Sequence, residues 1–306
     1  MRQATRGGGI LLFVGIIIYF SAMRPETFPT WDNAKAILNS MSILLILGAG
    51  LTVVLAIGEF DLSFAATVGL SGATAVLTMV NLDWPMGLAI VAAIGVGLLV
   101  GLANGLAVAY GKAPAFIITL AVGSVATGIE RLISNDEVVP GLSQNFVSLA
   151  QGETFGLPRS VIIAFVVTLG VFVLLEFTTF GRRLRAVGAN RRAAELAGLP
   201  VARERVLAFV IVGGLSGVAG VVLMSKASQY YPDSGAGLLL SPYTAAFLGA
   251  AAVGLARFGA LATLFGVAFI GVLETGLTML GQPAWQVQVI EGGVLAIAVL
   301  LARQIR

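Results

Sequence analysis

Four carboxylates stand in or beside runs of apolar residues, where a charge is costly. Glu59 and Asp61 lie in the hexapeptide GEFDLS, residues 58–63, between two long apolar stretches. Two acids at that spacing could hold a cation or relay a proton. They could also serve the backbone. Gly58 before them and Ser63 after them read as a turn into a helix, and an Asp at a helix start accepts orphan N–H groups. A structural cap, a conformational or partner contact, and a transported-cation role are the three readings. Glu274 and Glu291 lie inside apolar stretches of their own, the first near Thr275 and Thr278, the second beside Gly292 and Gly293. A charge at mid-bilayer costs at least about 2.5–3.5 kcal/mol, so each is expected to face protein or water. For this pair, packing by hydrogen bonds, the lining of a polar passage and proton coupling stay open. Proton coupling finds no Lys, Arg or His at the same depth.

What is missing narrows the chemistry. The 306 residues include neither His nor Cys. That excludes imidazole acid–base chemistry, thiol chemistry, haem ligation by those residues and the usual zinc sites. No residue is assigned a catalytic, cofactor-binding or metal-ligating role. There is no GxxxxGK[ST] loop, so any ATP and Mg2+ must be bound by a separate chain. The sequence is 58% hydrophobic and 11% charged, where a soluble domain carries about 25% charge. Mean hydropathy is +0.99, and the 39 glycines suit helices that pack closely in lipid. The basic pI does not indicate nucleic acid, because the basic residues cluster at the ends of apolar stretches.

The elements that must position these acids are membrane helices. The expected fold is all-α and polytopic, with about ten spans at 9–22, 37–57, 62–80, 86–110, 115–133, 160–179, 206–225, 242–255, 258–280 and 284–302. The first and eighth hold only about 14 apolar residues, short of the roughly 20 that cross a bilayer. Residues 134–159 and 226–241 read as polar outer loops. With both termini cytoplasmic, 13 basic residues fall inside: Arg2, Arg6, Lys112, Arg182, Arg183, Arg185, Arg191, Arg192, Arg203, Arg205, Arg257, Arg303 and Arg306. Five fall outside: Arg24, Lys35, Arg131, Arg159 and Lys226. This follows the positive-inside rule. Merging the eighth and ninth spans would put Arg303 and Arg306 outside, so the short eighth span is retained. Trp31, Trp84 and Trp285 fall near outer boundaries and read as interface anchors. No loop has room for a second folded domain, so residues 1–306 form one transmembrane domain.

Two glycine faces and one basic segment complete the pattern. Gly97, Gly101 and Gly105 form overlapping small-xxx-small repeats, with Asn104 one position off their face. Gly213 and Gly217, with Gly214 and Gly220, form a second small face. Both predict close helix packing. The segment at about 181–205 holds seven of the 18 basic residues. Within it, 191–196 predicts a short helix that stops at Gly198 with Pro200 beyond. Its apolar residues are Ala193, Ala194, Leu196, Ala197 and Leu199, and Arg191, Arg192 and Glu195 are polar. Anchoring on anionic lipid and docking into a cytoplasmic motor subunit are the two readings. A lipid-surface helix would carry larger apolar residues.

Three stretches then carry a resemblance: GEFDLS at 58–63, GLANGLAVAYGKAPAFIITLAVGSVATGI at 101–129 and GRRLRAVGANRRAAELAGLPV at 181–201. In order, spacing and overall length the chain resembles the membrane-spanning permeases of bacterial ABC sugar importers, of the ribose, xylose, galactose and autoinducer-2 type. The resemblance implies a place in the bacterial inner membrane and a second permease subunit, with a homodimer favoured over a heterodimer. It also implies two cytoplasmic ATPase subunits and a periplasmic binding protein. Gly188, Asn190, Arg191, Arg192, Ala193, Ala194, Glu195, Leu196 and Gly198 would then be the segment that couples to the ATPase. Glu59 and Asp61 would be the family's acidic turn; on the residues alone, Glu59, Asp61, Asn104, Glu274 and Glu291 are the conformational or passage candidates. The sequence departs from the family pattern at GEFDLS, where GGIDLS is usual, and at 249–260, which is poorer in glycine and has an unpaired Arg257. A secondary transporter driven by an ion gradient and a non-transporting scaffold subunit are the rival classes.

Overall fold

The structure, a computed structural model, describes residues 4–252 and 257–303, with side chains from 8 to 300. The charges of Arg2, Arg6, Arg303 and Arg306, and residues 253–255 of the expected eighth span, lie outside the described residues. Among the described residues the regular structure is helical apart from one two-stranded hairpin. From the start run α1 (Ala4–Met23), α2 (Trp31–Ala56), α3 (Phe64–Asn81), α4 (Met86–Ala109) and α5 (Ala115–Ser134). The middle holds α6 (Gln144–Gln151), the strands β1 (Glu153–Thr154) and β2 (Leu157–Pro158), α7 (Arg159–Phe177), α8 (Thr179–Ala189) and α9 (Arg191–Leu196). Then come α10 (Val201–Ala227), α11 (Ser241–Ala252), α12 (Ala260–Met279) and α13 (Ala284–Arg303). Among the described residues, seven helices are long and apolar enough to cross a membrane: α2, α3, α4, α5, α7, α10 and α12. Three shorter apolar helices occupy the remaining expected spans.

Helix α2 is the centre. Thr30 caps its start by accepting the Asn33 N–H, and Asp32 sits in its first turn. Residues 41–55 are buried on every side, as a helix with apolar residues all round requires. It packs against α7, α10, α11 and α12. Helices α4, α5, α7 and α13 instead turn Leu, Val, Ile and Phe outwards, which is the surface a bilayer accepts and water does not.

The segments between helices gather at two ends. Segment 178–200 marks the basic end. The opposite end is more elaborate than two polar loops. Residues 134–159 hold α6, capped by Ser143, and the β1–β2 hairpin. Helix α6 docks on the end of α10, where the Ser225 hydroxyl donates to Phe146 O at 2.6 Å and accepts from Ala150 N at 2.9 Å.

Two largely irregular segments enter the bundle, one from each end; the second includes one 3-10 turn, Ala236–Leu238. Residues 57–63 turn back between α2 and α3, and α3 starts beside Gly123, two turns along α5. Residues 228–240 descend from the opposite end until Gly235 lies against Ala65 and Gly69 near the start of α3. This descent explains the short eighth span. The chain crosses much of the depth as irregular backbone before α11 begins. Inside a membrane such backbone is tolerated only when buried in protein or lining a cavity.

Candidate functional site

The first entering segment meets the start of α11, just beyond the second. The Tyr243 hydroxyl, on α11, donates to the Asp61 carbonyl oxygen at 2.6 Å and accepts the Asp61 N–H at 3.0 Å. The Asp61 carboxylate accepts the Ser63 N–H at 2.8 Å and the Ser63 hydroxyl at 2.6 Å. Here an Asp serves its own turn at a helix start. Asn104 extends the chain, its amide nitrogen donating to Ser63 Oγ at 2.6 Å. Its Oδ1 is buried with no hydrogen-bond partner among the described residues. Leu62 N–H donates to Thr119 Oγ1 at 3.0 Å. One six-residue turn is therefore bonded to α4, α5 and α11. Burial pushes the Asp61 carboxyl up to about 6, and its bonds from Ser63 act in the opposite direction.

Glu59 makes a different connection. Its Oε1 accepts from Arg205 at 2.7 Å and also from Arg191. Arg205 lies in the first turns of α10 and is 8% exposed; Glu59 is 9% exposed. The segment expected as one basic loop is thus divided, with Arg203 and Arg205 on α10 and α8 preceding α9. Arg183 on α8 reaches Glu204 at 3.3 Å, a second tie between segment and span. Gly188 fits against the carbonyl oxygen of Ala56, where a Cβ would overlap it. Glu59 is neutralised by two guanidiniums, an arrangement that suits a clasp between a turn and the basic segment better than a cation site.

Helix α9 spans Arg191–Leu196 and is delimited at both ends. The Asn190 side chain accepts the Ala193 N–H at its start. At its end Gly198 takes φ +77°. Gly198 N–H bonds to Glu195 O, and Leu199 N–H bonds to Ala194 O, the paired pattern that stops a helix at a left-handed glycine. The expected apolar face is split. Ala194 turns inwards and is 5% exposed, while Leu196 is 75% exposed. Ala193, Ala197, Arg192 and Glu195 share the outer side. The outward face therefore contains Ala193 and Leu196, and Ala194 belongs to the protein's own core.

The two glycine faces are each other's partners, apart from Gly220, which packs on Val68 and Gly72 of α3. A Cβ on Gly97 would overlap the carbonyl oxygen of Gly213, one on Gly101 that of Phe209, and one on Gly213 that of Gly97. At Gly105 it would lie 2.8 Å from Val206 Cα, and at Gly217 2.9 Å from Ile94 Cα. The backbones of α4 and α10 touch along this seam, which seats the first turns of α10, and hence Arg205, beside the acidic turn.

The remaining candidates fall elsewhere. Glu274 is exposed on α12, on the outer side of the helix and away from the bundle's core. Glu291, on α13, is half-buried and accepts from the Ser241 hydroxyl at 3.1 Å. Neither touches the acidic turn. Arg257, read as unpaired, reaches Glu176 at 3.4 Å, and Arg185 reaches the same carboxylate at 2.6 Å. The sequence reading passed over Glu130, which is 1% exposed and accepts from the Tyr230 hydroxyl at 3.1 Å. Its signal was an acid inside the apolar run 115–133.

Relatives give this geometry a context. Residues 33–299 match the family described as "Branched-chain amino acid transport system / permease component". An L-arabinose ABC transporter permease protein, AraH, of Azospirillum brasilense is 34% identical over 97% of this chain and 87% of its own length. The ribose import permease protein RbsC of Bacillus subtilis is 34% identical over 96% of this chain and 91% of its own. AraH of Escherichia coli is 30% identical over 96% and 90%. Among solved structures, a metal-chelate type ABC transporter in an inward-facing conformation superposes with a TM-score of 0.56 at 15% identity, covering 98% of this chain and 99% of that one. This last likeness shows the fold alone. The family match and the near full-length relatives together establish that this chain belongs to the family of transport-system permease components.

Proposed function

We propose that the chain is the membrane-spanning subunit of an ATP-driven importer for a small neutral sugar. A periplasmic binding protein delivers the sugar, and ATP and Mg2+ are held by two cytoplasmic ATPase subunits. The observation that carries the reading is the connection between α9 and the core. An exposed face with Leu196 and Ala193 is available to an outside partner. Arg191 on the same helix holds Glu59, and the turn that contains Glu59 is bonded to α4, α5 and α11. A pull on α9 therefore reaches three membrane helices through a few bonds. ATP closure of the motor subunits moves α9, the turn shifts with it, and rigid helices tilt so that a central passage changes its open side.

The relatives named for L-arabinose and ribose support a pentose-sized cargo. Both termini lie on the cytoplasmic side in this reading, ten helices cross the bilayer, and two copies of the chain form the passage. The paired state of Glu59 and the outward position of Glu274 weigh against transport on an ion gradient.

A cross-link tests the placement. The natural chain has no cysteine, so Leu196→Cys supplies a single thiol on the outer face of α9. It is expected to cross-link to the cognate ATPase, with a yield that changes on ATP binding. A cross-link from Phe155→Cys, at the hairpin tip on the opposite end, with none from Leu196→Cys, would overturn it.

A further inference from the structure

A cavity of about 230 Å³ lies between α3, α5 and the descending segment 233–239. Its walls differ in character. Leu62, Ala65 and Leu239 are apolar, while Ser124, Thr127 and Glu130 on α5 are polar. A monosaccharide presents the same two characters, C–H faces and a hydroxyl rim. Small-solute sites generally combine an apolar wall with a few placed polar groups.

Glu130 is the unusual member. It is 1% exposed, and the Tyr230 hydroxyl donates to one of its oxygens at 3.1 Å. The neighbouring Arg131 pairs with Asp233 and Asp136, and among the described residues Glu130 has no salt bridge. Room for the carboxylate comes from Gly69, where a Cβ would stand 2.5 Å from Oε2. A carboxylate offers about four lone-pair positions, of which the Tyr230 hydroxyl and the Asp233 backbone N–H occupy two. A buried acid without a cation is expensive inside a membrane and marks a functional position by default. The acceptor capacity that remains suits hydroxyl donors. A second anion would be repelled by Glu130 and by Asp233 at the rim.

The cavity also borders the coupling element. Leu62 lines it and belongs to the same turn as Glu59 and Asp61, and Gly123 lines it against Ser63. We infer that this cavity is a resting site for the transported sugar on the outer side of the acidic turn, with Glu130 accepting its hydroxyls. The inference rests on the transport reading above. The turn forms the floor of the site, so the displacement that follows motion of α9 opens or closes it towards the basic end.

The test uses the complete transporter in proteoliposomes, with L-arabinose and ribose as probes. Ser124→Cys places a single thiol at the rim of a cysteine-free chain. A charged, membrane-impermeant thiol reagent added from the outer side is expected to modify it. Turnover with sugar-loaded binding protein is expected to slow that modification. Glu130→Gln, verified as folded by its unfolding temperature, is expected to lower uptake about tenfold, as loss of a hydrogen bond to a charged group would. Modification of Ser124→Cys that ignores sugar, or no modification at all, would overturn the inference even if Glu130→Gln failed to fold. Wild-type protein that takes up neither sugar would instead refute the transport reading.

Discussion

Glu59→Gln removes one negative charge from between two guanidiniums, and burial sets the size of the effect. Arg205 and Glu59 are each more than nine-tenths buried and 2.7 Å apart. Removing one partner of a buried pair costs about 3–5 kcal/mol, because the other charge is left uncompensated. The Arg191 side chain is 44% exposed, so its share is at most about 1 kcal/mol. Gln keeps one acceptor for Arg205, which places the loss near the lower limit, about 3 kcal/mol. Arg205→Leu in the same background removes the stranded cation and should restore most of the stability. The expected coupling between positions 59 and 205 is about 2 kcal/mol or more, and that between 59 and 191 is below about 1 kcal/mol. Denaturant unfolding in detergent micelles measures both cycles, and sugar taken up per ATP hydrolysed, in parallel, reports the link to transport. Stabilities at 59 and 205 that add to within about 0.5 kcal/mol would show that no clasp exists and would refute the route from α9 to the core.

Other residues make separate predictions. Gly101→Ala puts a methyl group into the carbonyl oxygen of Phe209 and should destabilise by about 1–3 kcal/mol. Gly95→Ala on the same helix meets nothing within 4 Å and should gain up to about 1 kcal/mol, so unfolding temperatures should move in opposite directions. Ala194→Arg, directed into the core, should lower the unfolding temperature. Leu196→Arg, directed outwards, should leave it unchanged while reducing ATPase docking. Asp61 carries its carboxyl at about 6, above the ordinary 3.8. The folded state therefore favours the neutral acid. Its stabilising contribution is complete below about pH 4 and is lost as pH rises through about 6. Asp61→Asn should gain on the wild type over that interval, as unfolding temperatures measured from pH 4 to 7 would reveal. A constant difference across the range would contradict the assignment.

Local signals in the sequence transferred well to the structure. The α9 bounds follow from Asn190, Gly198 and Pro200, whose backbone preferences act within a turn. Apolar runs located the long helices because length and hydropathy need no knowledge of partners. Partners themselves were not legible. The spacing of Gly97, Gly101 and Gly105 identifies a face, and nothing in it names Gly213 as the neighbour. Glu59 meets Arg191 and Arg205 across 132 and 146 residues, a separation that no local pattern encodes. Glu130 escaped notice because the adjacent Arg131 reads as a boundary charge. Residues 228–240 look like a surface loop, since irregular polar sequence is the same whether it lies on a protein or descends into it. The direction of Glu274 was not legible for a related reason. An acid in an apolar run signals an expensive position, and its direction is set by neighbours from elsewhere in the chain.

The central claim is that motion of a cytoplasmic motor reaches the membrane helices through α9. Its most direct test is ATP hydrolysis by the chain in lipid nanodiscs with its cognate ATPase and binding protein, added separately and together. The account predicts hydrolysis that rises with sugar only when both partners are present, and a sugar response that disappears in Glu59→Gln. Gradient-driven uptake by the chain alone, or a sugar response that Glu59→Gln leaves intact, would contradict it.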